Sequence, residues 1–423
     1  MVQVGGGGGG DCGGLSPRSI GAEHMIVCMV DRILKLLDTT EGRAAVISSQ
    51  YDWANAYDRQ DPSITINKFI SMKLRSSLIP ILIDFLSGRS MKIKFNNEQA
   101  GPFKLIGGSP AGSFLGQQCY TTGCYDNTEG LDIEEEDKYQ YIDDLNLLEL
   151  ICMADLLQQY DFRCHVASDI GLDQRFLPPS STKTQTFHNG IALWANQNKT
   201  KLNFDKSKYV VHSRMKESIA TRFTLDGDYI ERQSVTKILG VWIGEDPSCW
   251  QRNTKEIMKR TYASMSMLTK LKYAGLSRRK LIHIYCLFVR SYTEYCSVAW
   301  HDSLTQDQTK AIERLQIVAL KIILGGDSPR KPDGHFDYFE ALKLCNLKSL
   351  FDRREARTLS FGKKSSKHPS LKRLFPLHKD ILEDQPNLRN QEKFHVNFAR
   401  TASYQNSAIP SIQRRLNKHF TEL

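Results

Sequence analysis

Tyr139-Gln140-Tyr141-Ile142-Asp143-Asp144-Leu145-Asn146-Leu147-Leu148-Glu149-Leu150 places two adjacent carboxylates between two strand-like runs. The flanks Tyr139–Ile142 and Leu145–Leu150 predict a hairpin with the acids at its tip. Neighbouring carboxylates repel, so a folded chain keeps them beside a compensating cation or in solvent. A third acid, Asp52, follows the strand-like stretch Ala44–Tyr51 (AAVISSQY). If the two strands are neighbours, their ends converge and three carboxylates share one surface. Hard oxygen ligands of this kind suit Mg²⁺, which takes one or two carboxylates plus phosphate oxygens. Paired ions about 3.5–4 Å apart are the usual device for in-line phosphoryl transfer.

Working outward, Glu23–Leu37 carries apolar residues at helical spacing (Met25, Ile26, Met29, Ile33, Leu36, Leu37). Ile64–Met72 and Leu78–Leu86 read as helices, and Met91–Phe95 alternates as a strand. Gly107–Gly116, rich in Gly, Ser and Pro, predicts a loop leading into a helix. The stretch Asp161–Thr200, with Pro178-Pro179 and a Ser/Thr run, predicts a loop-rich insertion. Strand-like Tyr209–His212 and Ile238–Ile243 follow. Six consecutive glycines, Gly5–Gly10, mark residues 1–22 as a low-complexity, disordered leader.

With 423 residues, 40% hydrophobic and 25% charged, the composition is that of a globular chain with more than one domain. The longest apolar stretch, around Leu281–Val289, falls far short of the roughly 20 residues a bilayer crossing needs. Ten cysteines lie scattered with no C-x-x-C pair, which predicts reduced thiols in an intracellular protein, nuclear or cytoplasmic. The net charge of +10 is unevenly divided. Residues 1–200 hold 17 Lys and Arg against 24 Asp and Glu, whereas residues 201–423 hold 40 against 23. An acidic half that can hold divalent metal, joined to a basic half, predicts a nucleic acid partner and no membrane.

Five blocks, in order, resemble reverse transcriptases, most closely those of non-long-terminal-repeat retrotransposons of the jockey-like kind. Asp52-Trp53-Ala54-Asn55-Ala56-Tyr57-Asp58 is similar to the family's D-x-x-x-A-[FY]-D. Gly107–Gly116 (GGSPAGSFLG) is similar to its G-x-P-Q-G-S-x-L-G loop, with Ala111 where the family has Gln. The YIDD box follows, then Leu202–Lys208 (LNFDKSK), similar to L-N-x-x-K-[ST]-K. Lys237-Ile238-Leu239-Gly240-Val241 resembles the K-x-L-G-V strand. The resemblance implies an α+β right-hand polymerase with a palm and partial fingers over 23–250, a helical thumb over 251–326 and a helical tail over 327–423. It also implies an N-terminally truncated chain.

By the same resemblance Asp52, Asp143 and Asp144 are catalytic ligands of two Mg²⁺. Tyr57 is the aromatic gate against ribonucleotides. Ala111, Gly112 and Lys206 face the incoming nucleotide, and Leu239 and Gly240 support the primer terminus. The implied activity is RNA-directed DNA synthesis, with an RNA template, a DNA primer and dNTP. The alternative is a catalytically dead remnant that still binds nucleic acid, motivated by Ala111.

The basic half adds its own features. Thr305-x-x-Gln308 predicts a capping box opening a helix through Leu324, with Gly325-Gly326 ending it. Ser277 is placed to cap another helix whose first turn is Arg278-Arg279-Lys280. Those cations oppose the helix dipole, so they point to an external anion such as a phosphate backbone. The sequence has no H-E-x-x-H, G-x-S-x-G or Walker loop, which removes the protease, hydrolase and P-loop classes.

Overall fold

The structure, a computed structural model, describes residues 21–40, 44–152, 175–177, 182–214, 219–377 and 393–421. The glycine-rich leader expected over 1–22 lies almost wholly outside them. The chain is mixed α+β and divides into two compact units: residues 42–234, and residues 21–41 with 235–423. The division at Ser234 precedes the change to basic amphipathic helices at 250. Helix α1 (Ala22–Thr39) groups with the second unit.

The first unit is built on a five-stranded mixed sheet. Its strands are β1 (Ala44–Tyr51), β4 (Lys138–Tyr141), β5 (Asp144–Cys152), β7 (Lys208–Ser213) and β11 (Glu231–Arg232), in the order β11-β7-β1-β5-β4. Only β11 runs parallel to its neighbour, β7; the other pairings are antiparallel. β1 is central, buried on both faces, which explains why AAVISSQY reads as a run rather than an alternation. Around the sheet lie α2 (Pro62–Ser71), α3 (Ile79–Leu86), the hairpin β2–β3 (Ser90–Phe95 and Glu98–Lys104) and α4 (Phe114–Gly123). Short strands β6 (Arg175–Leu177), β8 (Ile219–Thr221), β9 (Thr224–Leu225) and β10 (Asp228–Tyr229) complete it with helix α5 (Lys183–Gln197).

Helix α5 corrects the reading of Asp161–Thr200 as loop-rich; the rest of that segment lies mainly outside the described residues. Its Phe187, Ile191, Ala192, Trp194 and Ala195 enter the main core with Ile47, Tyr51, Leu145, Leu147, Tyr209 and Phe223. Polar neighbours (Thr, Gln, Asn) hide that stripe in the sequence, and tertiary packing supplies the stability that propensity does not. Helix starts follow local chemistry. Asp61 accepts from Ser63 N (2.9 Å) and Ile64 N (3.3 Å) ahead of Pro62, and Ser113 Oγ accepts from Gly116 N at 3.0 Å.

The second unit is helical apart from one hairpin. Ile238–Ile243 is not a single strand. β12 (Val235–Ile238) and β13 (Val241–Gly244) pair antiparallel around a turn at Leu239-Gly240, with positive φ at both residues (45° and 88°). Helices α6 (Gln251–Tyr273), α7 (Arg278–Ile284), α8 (Arg290–Glu294), α9 (Ser297–Trp300) and α10 (Gln306–Leu324) follow. After them come α11 (Tyr338–Cys345), α12 (Leu350–Ser365), α13 (Ala402–Gln405) and α14 (Ala408–Thr421). α6 packs on α10, and Leu268, Leu281, Tyr285, Leu315, Ala319 and Ile323 meet in one core. The capping box at α10 forms as expected. Gln308 N donates to Thr305 Oγ1 (3.2 Å), and Thr305 N donates to Gln308 Oε1 (2.9 Å). α1 is held by its buried Asp38, which accepts from the backbone N–H of Arg400 (2.9 Å) and Thr401 (2.8 Å). Among the described residues no helix is long and apolar enough to cross a membrane.

Candidate functional site

The register of β1 on β5 pairs Tyr51 with Leu145, which sets Asp52 next to Asp144 at the same end of the sheet. β4 pairs with β5 through Tyr141 and Asp144, so the hairpin forms but its two-residue turn is Ile142-Asp143, one place earlier than the Asp143-Asp144 tip expected from the sequence. Asp144 lies on the strand, half-buried, while Asp143 is exposed at the turn. Ile142 takes φ +59°, a conformation unusual for a β-branched side chain. Burial, together with the charges of Asp143 and Asp52, pushes the Asp144 carboxyl up to about 6. The three acids therefore share one electrostatic neighbourhood.

Asp52 is fixed by its backbone. Its N–H donates to Ser207 Oγ (3.2 Å), and its carbonyl accepts from Asn203 N (2.8 Å). Next to it Trp53 forms an antiparallel bridge with Leu202. These contacts bind the LNFDKSK stretch to the first acid and bring Lys206 Nζ to 3.6 Å from Asp52 Oδ2. Asp52 Oδ2 is buried without a hydrogen-bond partner. Lys206 is the cation nearest that oxygen, and three carboxylates in one neighbourhood are an arrangement that further positive charge stabilises. The donor set, three carboxylates with hard oxygens, fits Mg²⁺. The acids are not drawn tightly together: among the described residues, the ligand-type trio whose donor atoms lie within 4.8 Å of one another is His301, Asp302 and Glu355. Arg415 already spans those two carboxylates, with Nη1 2.7 Å from Asp302 Oδ2 and Nε 3.0 Å from Glu355 Oε2. That trio is a neutralised ion-pair network rather than a metal centre.

Tyr57 follows the first acid on a turn where Asn55 has φ +52°. Its ring stacks on Tyr120 of α4, with centroids 4.5 Å apart and planes at 23°. Burial raises the Tyr57 phenol, and Asp143's charge raises it further, which places the ring near the turn acid. The loop 107–116 is tied to the same turn: Ser109 N donates to Tyr57 O (2.9 Å) and Gly108 N to Gln60 O (2.7 Å). A Cβ on Gly108 would lie 2.9 Å from Tyr57 O, and its φ is +83°. Gly116 is required for close approach, since its Cβ would meet Pro110 O at 2.0 Å. Ala111 and Gly112 are exposed on this loop, and Gly112 has φ +81° with open space around it.

The first unit thus assembles Asp52, Asp143, Asp144, Tyr57 and Lys206, with Ala111 and Gly112 on a loop tied to Tyr57. Leu239, Gly240, Arg278, Arg279 and Lys280 belong to the second unit. Leu239 and Gly240 are the hairpin turn, and Leu239 O accepts from Tyr295 Oη at 2.7 Å. Two expectations about the basic turn need correction. Ser277 makes no side-chain cap, and Arg278 is already paired with Asp327 at 2.5 Å. Arg279 and Lys280 stay exposed. Sequence reading missed Tyr120 and Ser207. Tyr120 follows the glycine loop on a helix that presents no motif, and Ser207, although it fills the [ST] position of LNFDKSK, has no role there until its bond to Asp52 is seen.

No family model matches the chain, and no curated protein does. Solved structures that resemble it include a telomerase from Candida tropicalis in complex with the TWJ fragment of telomeric RNA. That match has 12% identity and a TM-score of 0.35, and covers 81% of this chain and 51% of that one. Apo telomerase from Candida tropicalis gives 11% identity and a TM-score of 0.32, covering 81% and 47%. Telomerase from Candida albicans with the TWJ fragment gives 9% and 0.29, covering 86% and 53%. The chain spans about half the length of these proteins.

Proposed function

We propose that the chain is an RNA-directed DNA polymerase of the retrotransposon kind, extending a DNA primer on an RNA template from dNTP. The observation that carries this reading is the β1–β5 register, which seats Asp52 beside Asp144 with Asp143 at the adjoining turn. In this reading residues 23–250 are palm and partial fingers, residues 251–326 the thumb and residues 327–423 the tail. Asp52, Asp143 and Asp144 would hold two Mg²⁺, which when bound polarise the primer 3′-hydroxyl and offset charge on the triphosphate. Lys206 adds a fixed positive charge beside Asp52 for the triphosphate oxygens. Tyr57, braced by Tyr120, occupies the space beside the sugar 2′ position.

Purified protein with an RNA template, a DNA primer, dNTP and Mg²⁺ is expected to extend the primer, and Asp143→Asn is expected to abolish extension. Absence of extension in the wild type, with binding retained, would favour a second reading: a non-catalytic nucleic-acid-binding protein. Ala111 favours that reading, because a methyl group there makes no polar contact to nucleotide or template. The two readings separate on Ala111→Gln, which raises extension in a working polymerase and does nothing in a binding protein.

A further inference from the structure

We propose that Arg89 is a positioning residue for the loop 107–116, holding that loop and the base of the β2–β3 hairpin as one piece. Its catalytic consequence rests on the polymerase reading; its geometry does not. Arg89 stands between the end of α3 and the start of β2. Its Nη2 donates to Gly107 O at 2.7 Å and also to Gly108 O, and its Nε donates to Leu86 O, on the last residue of α3, at 3.3 Å. Its own carbonyl accepts from Leu105 N at 2.9 Å, one place beyond the Ser90–Lys104 pair that closes the hairpin. One residue therefore gathers a helix end, both ends of a hairpin and the first two residues of the loop.

The arrangement needs a guanidinium. Three carbonyl oxygens around one point repel each other, and a planar fork that donates in several directions neutralises them together. Leu86 O is among the carbonyls that a helix end leaves unpaired, where a cation is favoured. An ammonium keeps the charge but not the fork, so it cannot hold the same set of acceptors in one geometry.

The same loop residues are held from the other side as well. Gly108 N donates to Gln60 O (2.7 Å) and Ser109 N to Tyr57 O (2.9 Å). The turn after Asp52 thus takes the amides, and Arg89 takes the carbonyls. At the far end of the loop Ser113 Oγ donates to Pro110 O (2.9 Å) and accepts from Gly116 N (3.0 Å), so the cap of α4 fixes it there. Ala111 and Gly112, exposed between these two anchors, take their place from them. Removing the Arg89 side chain loosens the first anchor and deletes no hydrogen bond of Asp52, Asp143 or Asp144.

Hydrogen exchange of the full chain, read by mass spectrometry, tests the anchor without any catalysis. In Arg89→Met the amides of Gly108 and Ser109 should exchange about tenfold faster than in the wild type, since bonds from a charged donor are lost. Arg89→Lys, which keeps the charge and loses the fork, should still exchange about threefold faster. With an RNA template, a DNA primer and Mg²⁺, the KM for dNTP should rise about tenfold in Arg89→Met while affinity for the primer–template stays unchanged. Should Arg89→Met fail to fold, Arg89→Lys decides on the same readouts. Equal exchange at Gly108 and Ser109 in the wild type and a folded variant overturns the proposal. So does faster exchange spread evenly over residues 42–234, which a merely structural role gives, or an unchanged KM in an extending variant. If the wild type extends no primer, the polymerase reading fails, and the exchange result still decides what Arg89 holds.

Discussion

Tyr57 and Tyr120 lie ring on ring, 4.5 Å between centroids, and the phenol of Tyr57 feels the charge of Asp143. An aromatic pair of this kind contributes about 0.5–1.5 kcal/mol beyond its burial. Tyr120 is therefore a positioning residue for Tyr57. In Tyr120→Leu the Tyr57 ring loses its backing, and under the proposed polymerase reading discrimination against ribonucleotides should fall about two- to tenfold. Tyr120→Phe keeps the stack and should keep the ratio. The measurement is kcat/KM for a dNTP against its rNTP; an unchanged ratio in folded Tyr120→Leu refutes the role.

Gly108 makes a second prediction about the same turn. Its φ of +83° and the 2.9 Å approach to Tyr57 O leave no room for a methyl group. Gly108→Ala must push the loop off residues 57–60 and should destabilise the chain by about 1–3 kcal/mol. Primer extension should drop with it, whereas Gly130→Ala, with nothing near its Cβ, carries only the backbone cost of a positive φ. Chemical denaturation of both variants compares them.

His188 gives a pH dependence. It is buried between the rings of Tyr51 and Phe223 and hydrogen-bonded to Ser49 Oγ at 3.1 Å. Burial holds its imidazole down at about 3. The unfolded chain binds this proton near pH 6.5 and the folded chain does not, so stability rises with pH across that window. As pH falls from 6.5 to 4 the loss should reach up to about 3 kcal/mol. His188→Gln should be less stable at pH 7 yet respond less to acid. Thermal midpoints across that range decide; parallel curves for the two proteins contradict the account.

The capping box of α10 gives a prediction for the second unit alone. Thr305→Ala removes the acceptor for Gln308 N and should cost about 1 kcal/mol. Urea midpoints should shift accordingly.

Much of this was legible in the residues. AAVISSQY reads as a strand because small and β-branched residues without charge suit a buried central strand, and the observed β1 has those bounds. The YIDD hairpin and the Thr305–Gln308 box are local chemistry, so both form, although the hairpin turns at Ile142-Asp143 and leaves Asp144 on the strand. What failed depended on distant partners. α5 has a helical stripe only once the sheet offers it a surface, and in Ile238–Ile243 Gly240 is the one turn signal, its partner Leu239 not being a turn-forming residue. Arg278 looked free because its partner Asp327 lies far along the chain. Asp52 reads as an acid after a strand, and Ser207 stands at the [ST] position of LNFDKSK, but its bond to the Asp52 backbone joins residues far apart in sequence and is visible only in the fold.

The turn at Ile142 leaves the acids with no slack. Two residues join two paired strands, and one of them is already held in a left-handed conformation. A single inserted residue would either bulge there or slip β4 by one place, and a slip by one carries every side chain of that strand to the opposite face. The motif should therefore be more forgiving of exchanged letters than of altered length.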